Sequence, residues 1–373
     1  MQRYLIFILV AFLTSQSGFA QEDAEVPANS RPNVQVKASY HFGFLIPHRT
    51  RMQHIPKEYT QGIELNIEKA SSGHQDWEKL YNHPTVGLSI LFTGAGNYDV
   101  LGNAIGINPY VSFPLVRSEK FQLYTSWGWG LGYLTNKYDP AENHKNNAIG
   151  SHLNLFASIK LKAEYVVARR LALSLGCAFN HWSNSALQYP NLGLNVPTIS
   201  AGARYSFYDP ISYSKLPKAE RKKIKPSKKN EFAAIASVGF RAYSSTDNNI
   251  YPVYTLSGQY ARLWSKKYKL SVGADVFYST ALQQQIENAG ETGSKTALQV
   301  GTIVSYHQTL GKFSILLGMG VYVFEQTDFG ETFYHRFGTR FNVGKRFMIN
   351  TALHTHWARA DHMEFGIGYQ LAR

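Results

Sequence analysis

Residues 121–133 read FQLYTSWGWGLGY, and large apolar or aromatic side chains alternate here with small or polar ones. Successive side chains of a β-strand point to opposite faces, so this stretch predicts a strand with one apolar face and one small, polar face. Residues 149–164, IGSHLNLFASIKLKAE, alternate in the same way. A water-soluble sandwich, with the polar face in solvent, would account equally well for any single strand of this kind.

The alternation recurs along the whole chain. Segments of about ten such residues, separated by Gly, Asn and Pro turns, are typical of an outer-membrane β-barrel. We therefore expect an all-β, antiparallel outer-membrane β-barrel fold with roughly eight strands in each half of the chain. The periodicity leaves open whether the halves close separately or join into one wide barrel. Besides the two stretches above, strands are expected to begin near Val36, Thr60, Thr85, Ile105, Arg170, Val196, Phe232, Tyr251, Lys269, Thr296, Lys312, Tyr334, Phe347 and Glu364.

Composition supports a folded, exported chain. The 373 residues are 44% hydrophobic and only 17% charged, which excludes a disordered protein, and the single cysteine, Cys177, excludes an intrachain disulfide. The mean hydropathy of −0.26 is compatible with a barrel, because a polar interior and an apolar exterior average out. The formal charge of +13 favours anionic partners, and for an exported protein we expect membrane-lipid phosphates rather than nucleic acid.

Four segments are expected. Residues 1–20 are typical of a signal peptide, with Arg3, an apolar run over 4–13 and a small-residue cleavage site at Ala20. Beyond that run no 18 consecutive residues are apolar, so we expect no helical anchor. Residues 21–208 should form the first barrel, residues 209–230 a basic linker, and residues 231–373 the second set of strands.

The candidate catalytic residues are His181, Ser183 and Asn195. The alternation over 171–183 puts His181 and Ser183 on the lipid-facing side, where polar groups are costly, although a wet rim would also accommodate them. Asn195 has the outward parity of the next strand, so a short loop would bring its amide beside His181. A serine nucleophile, a histidine base and a group that orients the base are what acyl transfer requires.

The segments HWSNS, 181–185, and PNLGLN, 190–195, resemble the PagL-type lipid A deacylases, eight-stranded barrels of bacterial outer membranes that hydrolyse an ester-linked 3-hydroxyacyl chain from lipid A. Residues 147–152 also resemble this family, and the resemblance covers about residues 36–208. The resemblance implies a carboxylic ester hydrolase that acts on lipid A, the lipid part of lipopolysaccharide. It also implies that the protein is surrounded by outer-membrane lipids. Ser183 would be the nucleophile and His181 the base, with Asn184 and Asn191 supporting the oxyanion site. The family's orienting glutamate falls on Asn195, a departure that concerns the rate of the reaction.

Two alternatives stay open. Ser183, His181 and Asn195 also resemble the triad of outer-membrane phospholipase A, a calcium-assisted enzyme. A non-catalytic barrel with a decayed site, serving as a pore or an anchor, would explain Asn195 and the large second half.

The second half carries a histidine pair, His354 and His356, whose parity points into the lumen. A metal pair is one interpretation, but polar lumen residues grouped with Arg336 and Arg340 are favoured, so neither a metal nor a cofactor is predicted. The sequence leaves open the acyl position that is cleaved and whether the protein forms an oligomer.

Overall fold

The computed structural model describes residues 33–71, 73–208, 230–244, 249–327, 331–357 and 359–372. Within them, sixteen antiparallel strands form two closed barrels of eight strands each. The first barrel contains β1 (Asn33–Gly43), β2 (Thr60–Ala70), β3 (Thr85–Gly94), β4 (Asn103–Arg117), β5 (Phe121–Leu134), β6 (Leu153–Ala168), β7 (Leu171–Ser183) and β8 (Leu194–Ser206). The second contains β9 (Asn230–Ala242), β10 (Ile250–Ser265), β11 (Tyr268–Ser279), β12 (Leu298–Leu310), β13 (Phe313–Phe324), β14 (Phe333–Val343), β15 (Phe347–His356) and β16 (Arg359–Ala372).

Each half of the chain closes on itself. In the first barrel β1 pairs with β8, with Tyr40 opposite Ala201, and in the second β16 pairs with β9, with Phe365 opposite Val238. Closure leaves no unpaired strand edge, which satisfies the backbone hydrogen bonds that a bilayer interior cannot satisfy. The all-β barrel prediction is confirmed, and the two halves form separate barrels.

Three expected boundaries differ in the structure. The last strand was expected to begin near Glu364, but β16 begins at Arg359. Residues 149–152 were expected to begin a strand, but β6 starts at Leu153, and Ile149 makes only an isolated bridge to Asn191. Ser151 is consistent with this difference, because its hydroxyl donates to the carbonyl of Leu153 and accepts from Asn184 Nδ2 of the neighbouring 184–193 connection. The linker was expected to include Asn230, which instead begins β9. The predicted signal peptide, 1–20, and the rest of the linker, 209–229, lie outside the described residues.

The lumen of the first barrel holds charged side chains. Lys160 and Lys162, on β6, both contact the carboxylate of Glu64, and the Lys162 Nζ to Glu64 Oε2 distance is 2.9 Å. Glu164 accepts from Lys37 at 2.8 Å and from Arg204 at 2.9 Å. The polar face of the alternating strands therefore points inward, which excludes the solvated-sandwich alternative for these residues.

The two ends of each barrel differ. At one end the strands are joined mainly by short turns, such as 118–120 and 169–170, whereas the other end carries the long connections 44–59, 135–152 and 184–193. Two short α-helices lie in connections between strands, α1 (Asp76–Leu80) and α2 (Thr280–Asn288). Among the described residues, neither helix is long and apolar enough to cross a membrane.

The barrels contact each other at both ends. At the short-turn end, Tyr81 Oη donates to the carbonyl of Lys267 at 3.0 Å, and Lys266 pairs with Asp76 at 2.7 Å. The hydrogen bond from Lys266 lowers the pKa of the Asp76 carboxyl below its ordinary value. At the long-connection end, the backbone N–H of Ala242 donates to the carbonyl of Ala186 at 2.8 Å. The second barrel therefore touches the loop that follows Ser183.

Candidate active site

The end of β7 presents His181 and Ser183 on the outer face of the first barrel. They share their parity with Leu173, Leu175 and Phe179, whose side chains are exposed along the same strand. The intervening Trp182 is fully buried in the lumen, where its ring packs on Phe156 and its Nε1 donates to the carbonyl of Ile105 at 3.1 Å. Because alternation is strict over these residues, the inward anchoring of Trp182 directs both of its neighbours outward.

His181 and Asn195 face each other across the β7–β8 pair. The register puts the two residues directly opposite, and His181 Nδ1 lies 2.6 Å from Asn195 Oδ1. An amide oxygen only accepts, so this contact requires the proton of the neutral imidazole on Nδ1. Nε2 of His181 is thereby left with a lone pair that can take a proton.

The Ser183 hydroxyl does not contact the histidine ring through a hydrogen bond. It donates instead to Asn191 Oδ1 at 3.1 Å, and among the described residues no hydrogen bond joins Ser183 to His181. Asn191 Oδ1 also accepts from the backbone N–H of Asn184 at 3.0 Å. The structure thus brings together two pairs, His181 with Asn195 and Ser183 with Asn191, rather than one continuous chain.

The loop after Ser183 has a specific shape. Asn184 uses its amide Nδ2 to hold the loop, donating to Ser151 Oγ at 3.0 Å and to the carbonyl of Gln188 at 2.7 Å. Ser185 and Ala186 both adopt left-handed conformations, with φ of 55° and 60°, which are unfavourable for residues with a Cβ atom. The backbone N–H of Ser185 donates back to Ser183 Oγ at 3.3 Å. Such backbone strain is common at functional sites, where surrounding contacts maintain it.

His48 is a site residue that sequence reasoning missed. Its Nδ1 lies 3.1 Å from Asn195 Nδ2, and its Nε2 lies 3.0 Å from the carbonyl of Leu192. The amide of Asn195 therefore accepts from His181 and donates to His48. No local pattern could indicate this contact, since His48 and Asn195 are 147 residues apart in the sequence.

Gly193 packs directly against the imidazole of His181. Its backbone has a φ of +78°, and a Cβ atom built there would lie 2.9 Å from His181 Cε1. Glycine is the residue that adopts this conformation without strain, and its missing side chain leaves room for the ring. Gly193 and Asn195 together fix the position of His181.

The arrangement contains the groups needed for ester hydrolysis. A histidine with its proton held on Nδ1 can act as a general base through Nε2, and a serine hydroxyl lies two residues further along the same outward face. The backbone N–H of Ser185 supplies a hydrogen-bond donor close to the serine oxygen, and Asn191 Oδ1 accepts from the serine hydroxyl. The imidazole, the serine hydroxyl and the nearby donor are all positioned by hydrogen bonds to other groups of the same chain.

Two family models match the chain, one for each barrel. Residues 61–204 match the lipid A 3-O-deacylase (PagL) model, and residues 230–373 match the acyloxyacyl hydrolase, C-terminal domain model. No curated protein sequence matches the chain.

Several solved structures are similar in part. Neisserial surface protein A (NspA) is 11% identical, with a TM-score of 0.33, and the match covers 47% of this chain and 97% of that one. The outer membrane enzyme PagL is 16% identical, with a TM-score of 0.30, over 47% of this chain and 99% of that one. The Acinetobacter baumannii outer membrane protein Omp33 is 7% identical, with a TM-score of 0.17, over 91% and 97%.

The two family matches lie on the two barrels and together extend over most of the described residues. The first match includes β7, β8 and the loop between them, and therefore His181, Ser183 and Asn195. The chain belongs to the PagL-type lipid A deacylase family of the bacterial outer membrane, with a second barrel of the acyloxyacyl hydrolase C-terminal type.

Proposed function

We propose that the protein is a membrane-embedded serine esterase that removes an ester-linked acyl chain from lipid A, with Ser183 as nucleophile and His181 as general base. The observation that carries the proposal is the 2.6 Å contact between His181 Nδ1 and Asn195 Oδ1 on the outward face, two residues before Ser183. This contact selects the imidazole tautomer that a general base needs. The family match supports the substrate class.

The first half of the reaction forms an acyl-enzyme. The Ser183 hydroxyl exchanges its hydrogen bond with Asn191 for one with His181 Nε2, by rotation about its side-chain bond. Nε2 takes the hydroxyl proton while Oγ attacks the ester carbonyl, and the protonated imidazole then gives that proton to the departing sugar oxygen as the ester C–O bond breaks. Catalytic hydrogen bonds are often longer or differently aligned without substrate, so the resting contact of Ser183 is compatible with this step.

The second half releases the acyl chain. His181 takes a proton from a water molecule, the hydroxide oxygen attacks the acyl carbon, and the proton returns to Ser183 Oγ as the fatty acid leaves. The negative charge on the carbonyl oxygen in both steps needs nearby donors. We assign this role to the backbone N–H of Ser185, with Asn191 Oδ1 holding the Ser183 hydroxyl and the backbone N–H of Asn184, and Asn184 Nδ2 holding the loop in shape.

The substrate reaches the site from the membrane. His181 and Ser183 lie on the outer surface, at the end with the long connections, and in outer-membrane barrels long loops are extracellular. Lipid A would then approach by lateral diffusion, with its acyl chains against the apolar face of β7. Arg49 and Arg51, which are exposed on the loop that carries His48, are positioned to bind its phosphates.

The test compares lipid A before and after incubation with purified full-length protein. Mass spectrometry should show the loss of one hydroxyacyl chain with wild type and no change with Ser183→Ala or His181→Ala. Ser118→Ala, in a short turn at the opposite end of the barrel, should match wild type. Turnover by Ser183→Ala at the wild-type rate would refute the assignment.

The same assay, repeated with phospholipid as substrate and with or without calcium, separates the alternatives. Release of acyl chains from phospholipid but not from lipid A, dependent on calcium, would favour a phospholipase A-like enzyme. A folded wild-type protein without esterase turnover would favour a non-catalytic barrel, for which the amide in place of an orienting carboxylate provides a physical reason.

A further inference from the structure

A cluster of three histidines and one aspartate lies at the long-connection end of the second barrel. His354 and His356 come from β15, and Asp361 and His362 come from β16. The pairing of these strands is irregular: His354 is opposite His362, but Thr355 is opposite Ala360, so Asp361 is an extra residue. A bulge of this kind breaks the alternation and lets the consecutive residues Asp361 and His362 both turn into the lumen.

The carboxylate of Asp361 lies at the centre of the cluster. His362 Nδ1 is 2.7 Å from Oδ2, His354 Nδ1 is 3.8 Å from Oδ2, and His356 Nδ1 is 3.9 Å from Oδ1. One ligand atom from each of His354, Asp361 and His362 lies within 4.8 Å of the others. Two ligand atoms that bind one metal ion at about 2.0–2.2 Å lie slightly closer together than the 3.8 Å and 3.9 Å that separate His354 and His356 from Asp361. Small side-chain rotations would therefore bring these ligand atoms to a common ion.

Two of the imidazoles carry buried nitrogens without hydrogen-bond partners. Among the described residues, His354 Nδ1 and His362 Nε2 make no hydrogen bond within 3.5 Å, although the side chains are only 1% and 2% exposed. His362 Nε2 faces the Glu364 carboxylate at 3.6 Å, whereas His354 Nδ1 faces the centre of the cluster. Buried polar atoms are nearly always satisfied, and exceptions require an explanation such as an ion. His354 Nδ1 faces the Asp361 carboxylate across 3.8 Å, the kind of gap that a cation shared by both groups would fill.

Tyr322 orients two of the rings. Its hydroxyl oxygen lies 3.1 Å from His356 Nε2 and 3.4 Å from His354 Nε2. If each Nε2–H donates to this oxygen, both Nδ1 atoms present lone pairs to the side where Asp361 lies. Metal-binding histidines commonly use their second nitrogen in this way to fix the ring.

The charges around the cluster favour a cation. A cavity of about 260 Å³ adjoins it and is lined by Glu325, Glu331 and Asp361 together with Arg241 and Arg359. Arg241 contacts Asp361 directly, and Arg359 pairs with Glu331 at 3.1 Å. Carboxylates outnumber guanidinium groups here, and the other nearby carboxylate, Glu364, is paired with Arg336 at 3.0 Å.

We propose that His354, Asp361 and His362, with His356 as a fourth ligand, bind a divalent transition-metal ion such as zinc. Imidazole nitrogens with one carboxylate oxygen suit zinc, cobalt or nickel, whereas calcium and magnesium prefer oxygen ligands. The ion would replace the guanidinium of Arg241 as the main positive partner of Asp361. This site is distinct from the Ser183 site, and its test does not depend on esterase activity.

The test is metal binding by the detergent-purified full chain, prepared without a histidine tag and treated with a chelator. Titration calorimetry with ZnCl₂ should show one saturable site in wild type, and CoCl₂ should give visible absorption bands of a cobalt–imidazole complex. We expect His354→Gln and, separately, His362→Asn to weaken zinc binding at least about tenfold and to remove the cobalt bands.

The control is His307→Gln, which changes another buried lumen histidine of the second barrel, hydrogen-bonded to Ser271 and not to this cluster. It should bind zinc as wild type does. Absence of saturable zinc binding by wild type would overturn the proposal, and so would unchanged binding in both His354→Gln and His362→Asn, which would indicate adventitious sites. Far-UV circular dichroism establishes that each variant retains its barrels.

Discussion

The backbone N–H of Ala242, the last residue of β9, donates a hydrogen bond of 2.8 Å to the carbonyl of Ala186, three residues after Ser183. Arg241, its neighbour, is hydrogen-bonded to Tyr189 of the same loop. The second barrel therefore supports the loop that carries the donors around the proposed nucleophile. The left-handed residues Ser185 and Ala186 lie within this supported segment.

Removing the Ala242 donor should reduce esterase activity. Ala242→Pro lacks the N–H group, whereas Ala242→Ser retains it and serves as the control. One hydrogen bond contributes about 0.5–1.5 kcal/mol, so we expect kcat/KM for lipid A to fall about two- to tenfold in Ala242→Pro. Equal rates for the two variants, both folded, would contradict a supporting role for the second barrel.

Asn195→Asp should increase activity. The aspartate has nearly the same shape, so a carboxylate oxygen would occupy the position 2.6 Å from His181 Nδ1 and stabilise the imidazolium that forms during the reaction. A charge-assisted hydrogen bond is stronger than a neutral one by roughly 1 kcal/mol, which corresponds to about a five- to tenfold gain in kcat/KM. Asn195→Ala, which removes the oriented acceptor, should lose activity, and a rate that is indifferent to all three side chains would exclude this residue as a positioning group.

Gly193→Ala should impair the site by displacing the His181 ring. The added Cβ would lie 2.9 Å from Cε1 of that ring. A displacement of catalytic groups by about 1 Å can cost on the order of 100-fold, so we expect a loss of kcat between tenfold and about 100-fold. The control is Gly344→Ala, in a turn of the second barrel, which has a similar φ of +64° but no atom within 4 Å of the new Cβ. Comparable losses in both variants would attribute the effect to backbone strain alone.

Glu64→Gln should destabilise the first barrel. Glu64 is fully buried and partners both Lys160 and Lys162, so its loss leaves two buried ammonium groups without a carboxylate. Breaking a buried ion pair from one side costs about 3–5 kcal/mol, which should appear in the free energy of unfolding measured by urea titration in lipid vesicles. Glu119→Gln, in an exposed turn, should change that free energy by less than about 0.5 kcal/mol. The double variant Glu64→Gln/Lys160→Met should recover part of the loss, since it removes one unpaired charge.

Much of the fold and part of the site follow from sequence alone. Residues 121–133 and 171–183 show which side chains share a face, because alternation is a local property of extended backbone. The outward direction of His181 and Ser183 therefore needed no tertiary information. The opposite position of Asn195 also followed, since β7 and β8 are consecutive strands and pair as antiparallel neighbours.

Other features of the site depend on contacts between distant parts of the chain. Sequence could not indicate that His48 reaches Asn195, that Ser183 donates to Asn191 rather than to His181, or that the bulge at Asp361 groups it with His354. Each of these depends on loop conformation or on strand register, which local periodicity does not specify.

By itself, the sequence determined a repeat of strands with one apolar and one polar face, and it put His181 and Ser183 on the outward face. It could do so because the period of a strand is set by its own backbone. Only the tertiary structure decided that β8 returns to β1 and β16 to β9, which makes two barrels instead of one. Barrel closure is a pairing between the ends of each half, and it depends on the balance of tilt, register and lumen packing over all eight strands together.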